Sequence, residues 1–268
     1  MHRKTAHLNF AKIVILLPDT SSLLTIGKPF TELPEVDSSN NYAMAQIQYG
    51  TATHGAVWFA HYQTQGKGRM GKEWKAETGA NIMLSTTLET SSLLLFEQFY
   101  LSAAIAWGVY HFFAFYAGDE TSIKWPNDIY WRDRKAAGIL IENNIRGNNW
   151  QWAVAGMGIN INQTTFPSSL INPVSLKQIT GKTYDAVLLA KELCKHLDKT
   201  WRQLLADKED ILRQYNEVLY KRNQQVQLKK DNVIITCTID KVDAFGRLHV
   251  KDAAHESFDF GEVQWVIQ

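Results

Sequence analysis

Only two cysteines occur in 268 residues, and they lie far apart, at Cys194 and Cys237. Without a CxxC pair or a regular cysteine series, neither a disulfide framework nor a zinc module can be built. Cys194 falls in a helix-like apolar run and Cys237 in a strand-like one, so both read as buried free thiols in a reducing compartment. An excess of charge of one sign is missing as well. The formal net charge is +1, which gives no general attraction to nucleic acid or an anionic membrane. Long hydrophobic runs are also scarce. Ile13 to Leu17 is the only leader-like piece, and it stops at Pro18-Asp19, short of the ~7–15 apolar residues of a secretory leader. No segment is read as reaching the ~20 apolar residues of a membrane span. His54 and His61 lack the spacing of helical metal ligands, so no metal is assigned to protein side chains. Together these absences describe a cytoplasmic protein with no DNA and no membrane among its partners. Residues 1–25 read as an N-terminal extension, loosely ordered ahead of the fold.

What is present is a hydrophobic content of 45%, enough for one large domain and a smaller appendage at typical domain sizes of ~100–200 residues. Leu33 to Val36 reads as extended. Asp37-Ser38-Ser39-Asn40 then offers four cap-type residues before a helix from Tyr42 to Tyr49. Strands are expected over Ala56–His61 and Asn81–Leu88, and a long apolar helix over Glu97–Ala117. A β-rich stretch follows from Ile123 to Trp131. Asp133-Arg134-Lys135 forms a polar turn, Ala137–Arg146 and Trp150–Ile161 are strands, and Gly147-Asn148-Asn149 is the turn between them. Helices are expected over Asp185–Leu205 and from Lys208 to Leu219. After Arg222 the texture changes to short strand-like pieces: Gln225–Leu228, Val233–Ile239, Leu248–Val250, Ser257–Phe260 and Val263–Ile267. Such a unit of ~45 residues reads as a small barrel. The expected division is residues 26–222 for the main domain and residues 223–268 for the C-terminal one.

Four constellations carry chemistry. In Gln63-Thr64-Gln65-Gly66-Lys67-Gly68-Arg69-Met70-Gly71-Lys72-Glu73-Trp74, three glycines alternate with three cations. Glycine lets a backbone approach a ligand closely, and Arg can grip phosphate or carboxylate bidentately. A loop of this kind is not expected to hold a fixed shape alone; a flexible basic surface turn or a nucleic-acid contact fits it too. Lys124-Trp125-Pro126-Asn127-Asp128 is followed by Lys135. On facing strands of one hairpin, Asp128 could orient the Lys135 ammonium into a cleft; a surface ion pair, worth ~0–1 kcal/mol, is the plainer alternative. Gly156-Met157-Gly158-Ile159-Asn160 leaves two alternating positions bare, for a flat ligand or for a close strand crossing. Asn160 could read an adenine-like edge. Asp37 to Asn40 is either a helix cap or a site for a small polar head group.

Taken in order, DSSN, YQTQGKGRMGKEW, KWPND, DRKAAGILIE, GMGININ and a small C-terminal barrel resemble the biotin protein ligase family, from about Ile26 to Gln268. The resemblance implies an α+β fold related to class II aminoacyl-tRNA synthetases: a mixed, largely antiparallel sheet flanked by helices, plus a small C-terminal SH3-like β-barrel. It implies a two-step activity. Biotin is activated by ATP, with Mg2+, to biotinyl-5′-AMP, and then passed to a lysine of a biotin carboxyl carrier protein domain. By position, Arg69, Lys135 and Asp128 resemble the catalytic residues. Ser38, Ser39, Asn40, Gln63, Gly66, Arg69, Lys135, Gly138 and Gly156 resemble the biotin site. Lys67, Gly68, Arg69, Met70, Lys72, Trp74, Lys135, Gly158 and Asn160 resemble the adenylate site. Lys67 and Lys72 stand where the family usually has arginine, and Ser39 where threonine is commoner. Residues 1–25 cannot form a helix-turn-helix, so a repressor role is not expected. Some relatives pair as a homodimer through the central sheet, which leaves that assembly open here. Lipoate or octanoate ligases share the implied fold and stand as the alternative, together with a non-catalytic biotin sensor and a nucleic-acid-binding barrel.

Overall fold

The computed structural model describes residues 26–266. The expected N-terminal extension, residues 1–25, lies outside them, as does the end of the last expected strand at Ile267.

Seven strands form one sheet: β1 (Phe30–Leu33), β2 (Val57–Ala60), β3 (Ile82–Glu89), β4 (Thr121–Lys124), β5 (Asp128–Trp131), β6 (Arg134–Arg146) and β7 (Asn149–Ile159). Their spatial order is β1-β2-β3-β7-β6-β5-β4. Only β1 and β2 run parallel; every other neighbouring pair is antiparallel. The sheet is thus mixed and largely antiparallel, as the resemblance implies.

Its two faces differ because side chains alternate along each strand. One face carries Val57, Phe59, Ile82, Leu84, Ile123, Ile129, Ala137, Ile139, Ala155, Met157 and Ile159, all buried in the main core. Helices α2 (Gln98–Ala117) and α4 (Ala186–Ala206) contribute Leu101, Ile105, Phe112, Leu193 and Leu197 to that core. α4 starts where Asp185 accepts from the backbone N–H groups of Val187 and Leu188, a carboxylate capping two of the helix's unpaired donors. The stretch Leu95–Ala117 is, by length and composition, long and apolar enough to cross a membrane, with mean hydropathy 1.2. That corrects the reading that no segment reaches this length. Its apolar residues are spent on the sheet and on α4: eleven residues of α2, from Tyr100 to Phe113, are buried.

The opposite face is half open. Helix α1 (Ser39–Gln48) covers its β2 and β3 end, where Ala43 and Ile47 pack on Trp58 and Val154. The other end is met by the C-terminal unit, a sheet in the order β11-β10-β9-β8-β12. Its strands are β8 (Gln225–Lys230), β9 (Val233–Val242), β10 (Leu248–Lys251), β11 (Ser257–Phe258) and β12 (Gln264–Trp265). Helix α5 (Lys208–Glu217) leads to it, and a short α3 (Leu176–Thr180), not foreseen from the sequence, follows β7. Cys194 and Cys237 are both buried and free.

Two local boundaries differ from expectation for identifiable reasons. α1 begins at Ser39, three residues early, and its N-cap Ser38 makes no side-chain capping bond. The side chains of Ser39 and Asn40 are drawn instead to partners on the sheet. Lys135, expected in a turn, is already in β6, because the β5–β6 connection tightens at Arg132, with φ of 51°.

Candidate functional site

Along the open face, register places Asp128 opposite Gly138, Gly138 opposite Gly158, and Gly158 opposite Met83. One pleat along, Leu140 faces Gly156, and Gly156 faces Ser85. A strip without side chains therefore runs across the middle of the sheet, with charged groups at one end and small polar groups at the other.

At the polar end, the α1 residues reach down to β3 and β6. Ser85 Oγ lies 2.8 Å from Ser39 Oγ and donates to Asn40 Oδ1 at 2.5 Å. Asn40 Nδ2 donates to Glu142 Oε2 at 2.7 Å. Gln63 accepts from the backbone N–H of Ser39 at 2.7 Å. Ser38, Ser39, Asn40 and Ser85 are all buried. Burying a polar group without a partner costs free energy, so such a cluster holds only when its members are bonded to each other or to a ligand. Gly156 makes room for it: a Cβ there would stand 2.0 Å from Asn40 Oδ1. The helix-cap alternative for these residues does not describe what their side chains do.

At the charged end, β4, β5 and β6 form two successive hairpins. Lys135 Nζ lies 2.8 Å from Asp128 Oδ1, the juxtaposition foreseen for facing strands. A Cβ on Gly138 would lie in ordinary contact with that ammonium, 3.4 Å from Nζ. Lys124 faces Asp128 in the β4–β5 register and lies 4.9 Å from the Tyr130 ring centroid. Burial lowers its pKa to about 8; Asp128 opposes that shift, and Lys135 and Lys72 add to it. Lys135 and Lys124 thus converge on one carboxylate.

The glycine loop crosses between these ends. It is not shapeless, as the sequence suggested. Trp74 N donates to Gly66 O at 2.8 Å, Gly68 N donates to Lys72 O at 2.6 Å, and Lys67 bridges Glu73. These bonds make a small hairpin whose tip, Met70 and Gly71, has φ of 55° and 72°. Gly66 is needed because a Cβ there would meet Trp74 O at 2.3 Å. The hairpin lays the Trp74 indole on the bare strip: a Cβ on Gly158 would stand 2.3 Å from the ring and one on Gly138 3.2 Å. The Trp74 Nε1 donor is buried without a partner. The bare strip expected to admit a flat ligand or a crossing strand is thus met by side chains, Asn40 and Trp74.

The remaining residues singled out from the sequence are placed as follows. Arg69 stacks its guanidinium 3.6 Å from the Phe260 ring centroid; burial lowers its pKa, opposed by the Asp128 carboxylate. Lys67 lies 3.7 Å from Glu142, so it is drawn to the polar end. Met70 is exposed at the hairpin tip, and Lys72 is exposed beside it. Asn160 is buried and donates to Lys135 O at 3.4 Å, so its side chain supports the lysine strand. Four residues at the site went unassigned in the sequence. Glu142 and Lys124 left a trace, as the acid ending an apolar strand and the cation opening KWPND. Ser85 and Phe260 left none, because only the register and the packing of the C-terminal unit bring them here. Among the described residues, no group of three His, Cys, Asp or Glu side chains could hold a metal.

Comparison with known proteins follows the same lines. Residues 33–160 match the model of the biotin/lipoate A/B protein ligase family. The bifunctional ligase/repressor BirA of Escherichia coli is 33% identical over 175 residues, 64% of this chain and 53% of that protein. The biotin–[acetyl-CoA-carboxylase] ligase of Mycobacterium tuberculosis is 33% identical over 132 residues, 48% of each chain. The chain spans about half the length of the curated relatives it matches. Among solved structures, the biotin protein ligase of Aquifex aeolicus in complex with biotin and ATP superposes with a TM-score of 0.69 at 21% identity. That match covers 89% of this chain and 95% of that one, and it establishes the fold.

Proposed function

We propose, from the match of residues 33–160 to the biotin/lipoate A/B protein ligase family, that the chain is a biotin–[biotin carboxyl carrier protein] ligase. The observation that carries the proposal is the pairing, on one sheet face, of the buried Ser39–Ser85–Asn40 cluster and its partner Gln63 with the Lys135–Asp128–Arg69 group. The first suits a polar ureido ring, which needs several donors and acceptors at once. The apolar tails of lipoate or octanoate would offer this cluster no donors or acceptors, which disfavours that alternative.

In the first step a biotin carboxylate oxygen attacks the α-phosphorus of ATP. The new P–O bond gives biotinyl-5′-AMP, and the bond to the β-phosphate breaks to release pyrophosphate. Both reactants are anions, so cations must lie where they meet. Lys135 and Arg69 are those cations, held in place before the reaction, when such groups contribute most. Among the described residues no side-chain group could hold a metal, so Mg2+ would be carried by the nucleotide phosphates and would add to the charge neutralisation that Lys135 and Arg69 supply. Trp74, lying across Gly138 and Gly158, stacks near the nucleotide and excludes water from the mixed anhydride. In the second step the carrier lysine amine attacks the acyl carbon and AMP departs. Asp128, beside that point, orients the incoming amine. Lys67, Lys72, Gly68, Met70 and Asn160 line the nucleotide side in this reading, and Ser38 and Gly66 the biotin side. The carrier belongs to a biotin-dependent carboxylase, and the setting is the cytoplasm.

The test is mass spectrometry of a carrier domain incubated with the protein, MgATP and biotin, with lipoate in a parallel arm. A gain of one biotinyl group on one lysine is expected. Labelling by lipoate alone, or no labelling, would overturn the assignment.

A further inference from the structure

The C-terminal unit touches the site at two cations. Phe260 lies under Arg69, with 3.6 Å from the guanidinium carbon to the ring centroid, and Trp265 lies 5.3 Å from Lys124 Nζ. The guanidinium and the ammonium both carry charge toward a ring face, whose quadrupole attracts it. Phe260 is itself fixed: its ring meets Trp125 edge-on at 6.2 Å, and Trp125 Nε1 donates to Gly246 O at 2.9 Å. The ring therefore belongs to a firm joint between the KWPND hairpin and the C-terminal unit. Arg69, by contrast, sits on a hairpin closed only by a few backbone bonds, and it has no ion pair among the described residues. Phe260 is 41% exposed, so burial of apolar surface does not account for a phenylalanine there.

We propose that Phe260 is a positioning residue for the adenylation step, holding the Arg69 guanidinium flat beside Asp128 so that it meets the phosphate already oriented. The inference rests on the ligase reading and extends it to a residue outside the family-matched segment, residues 33–160. A flexible arginine loses rotamer freedom when it grips an anion. A ring that stacks it beforehand removes part of that loss from the reacting complex. The biotin ring, bound at the Ser39–Asn40 end of the strip, lies away from it, and only the carboxylate reaches Arg69.

The experiment uses the full chain with Phe260→Leu, which keeps apolar bulk but has no ring face, and Phe260→Trp, which keeps a face. Biotin-dependent exchange of pyrophosphate into ATP should fall about tenfold in the first, with biotin affinity falling by much less, and recover to within about threefold in the second. In an Arg69→Lys background, Phe260→Leu should cost less than about twofold, because an ammonium cannot stack in the same way. Ligand-free tryptic cleavage after Arg69 should quicken severalfold in Phe260→Leu and not in Phe260→Trp. Exchange intact in the unaltered chain and equal in Phe260→Leu, or equal cleavage after Arg69, overturns the proposal alone. Absence of exchange in the unaltered chain overturns the ligase reading and the catalytic role of Phe260 with it.

Discussion

Gly158→Ala should dislodge Trp74 while leaving the fold intact. A Cβ at residue 158 would stand 2.3, 2.6 and 2.7 Å from three atoms of the indole, where ordinary contact begins near 3.4 Å. The ring must retreat by about 1 Å, because the sheet cannot. A gap of 0.5–1 Å forfeits about a quarter to a half of a dispersion well. A fully buried tryptophan covers ~150–250 Å2, which at ~25 cal/mol/Å2 contributes ~4–6 kcal/mol. Trp74 is half-buried, so its seat is worth ~2–3 kcal/mol and the loss is ~0.5–1.5 kcal/mol, roughly a three- to tenfold effect. The half-saturating ATP concentration in pyrophosphate exchange should rise by that factor. Tryptic cleavage at Lys67, Arg69 and Lys72 should quicken, with the thermal midpoint moving by less than about 2 °C, since the hairpin is a local unit. Trp74→Leu in the same chain should relieve the clash and restore the hairpin's protection, though not the nucleotide stacking. If Gly158→Ala binds ATP and resists trypsin as the unaltered chain does, Trp74 does not lie on the bare strip in solution.

Lys135→Ala should cut adenylation by ~10²–10³-fold, the scale for losing one preorganised electrostatic group. The half-exposed pair with Asp128 contributes only ~0–1 kcal/mol to folding, so a large drop in denaturation midpoint instead would mean its role is structural. Lys124 has a folded pKa of about 8, below its unfolded value, so the unfolded chain binds more protons between pH 8 and roughly 10.4. Over that window the Lys124 contribution should make stability rise with pH. Burial raises the Tyr130 pKa, so ionisation of the unfolded tyrosine also changes stability at the top of this window; the readout is therefore the denaturant midpoint of the unaltered chain minus that of Lys124→Met, and a flat difference refutes the burial. Gly156→Ala should weaken biotin binding by at least about tenfold in calorimetry, because its Cβ would stand 2.0 Å from Asn40 Oδ1 and break contacts to Ser85 and Glu142; unchanged affinity would remove that cluster from the biotin site.

The sequence by itself determined the order of elements, because periodicity and turn chemistry are local. The long helix and the run of short strands after Arg222 stand within a few residues of where their patterns put them. It also marked the Asp128–Lys135 pair, since a hairpin with one tight turn brings its flanking residues together whatever surrounds it. Only the tertiary structure decided what the small polar residues do. Ser38 to Asn40 read equally as a cap, and the packing of α1 on β3 and β6 turned Ser39 and Asn40 to Ser85 and Glu142. Likewise Gly156 and Gly158 announced bare backbone, but which side chains would lie there, Asn40 and Trp74, depended on contacts more than 80 residues apart in the chain. Arg69 was legible as a cation; that Phe260 stacks on it was not. Local rules act within a turn or a hairpin, whereas cross-strand register and the seating of one unit on another arise only when the whole chain buries its apolar surface at once.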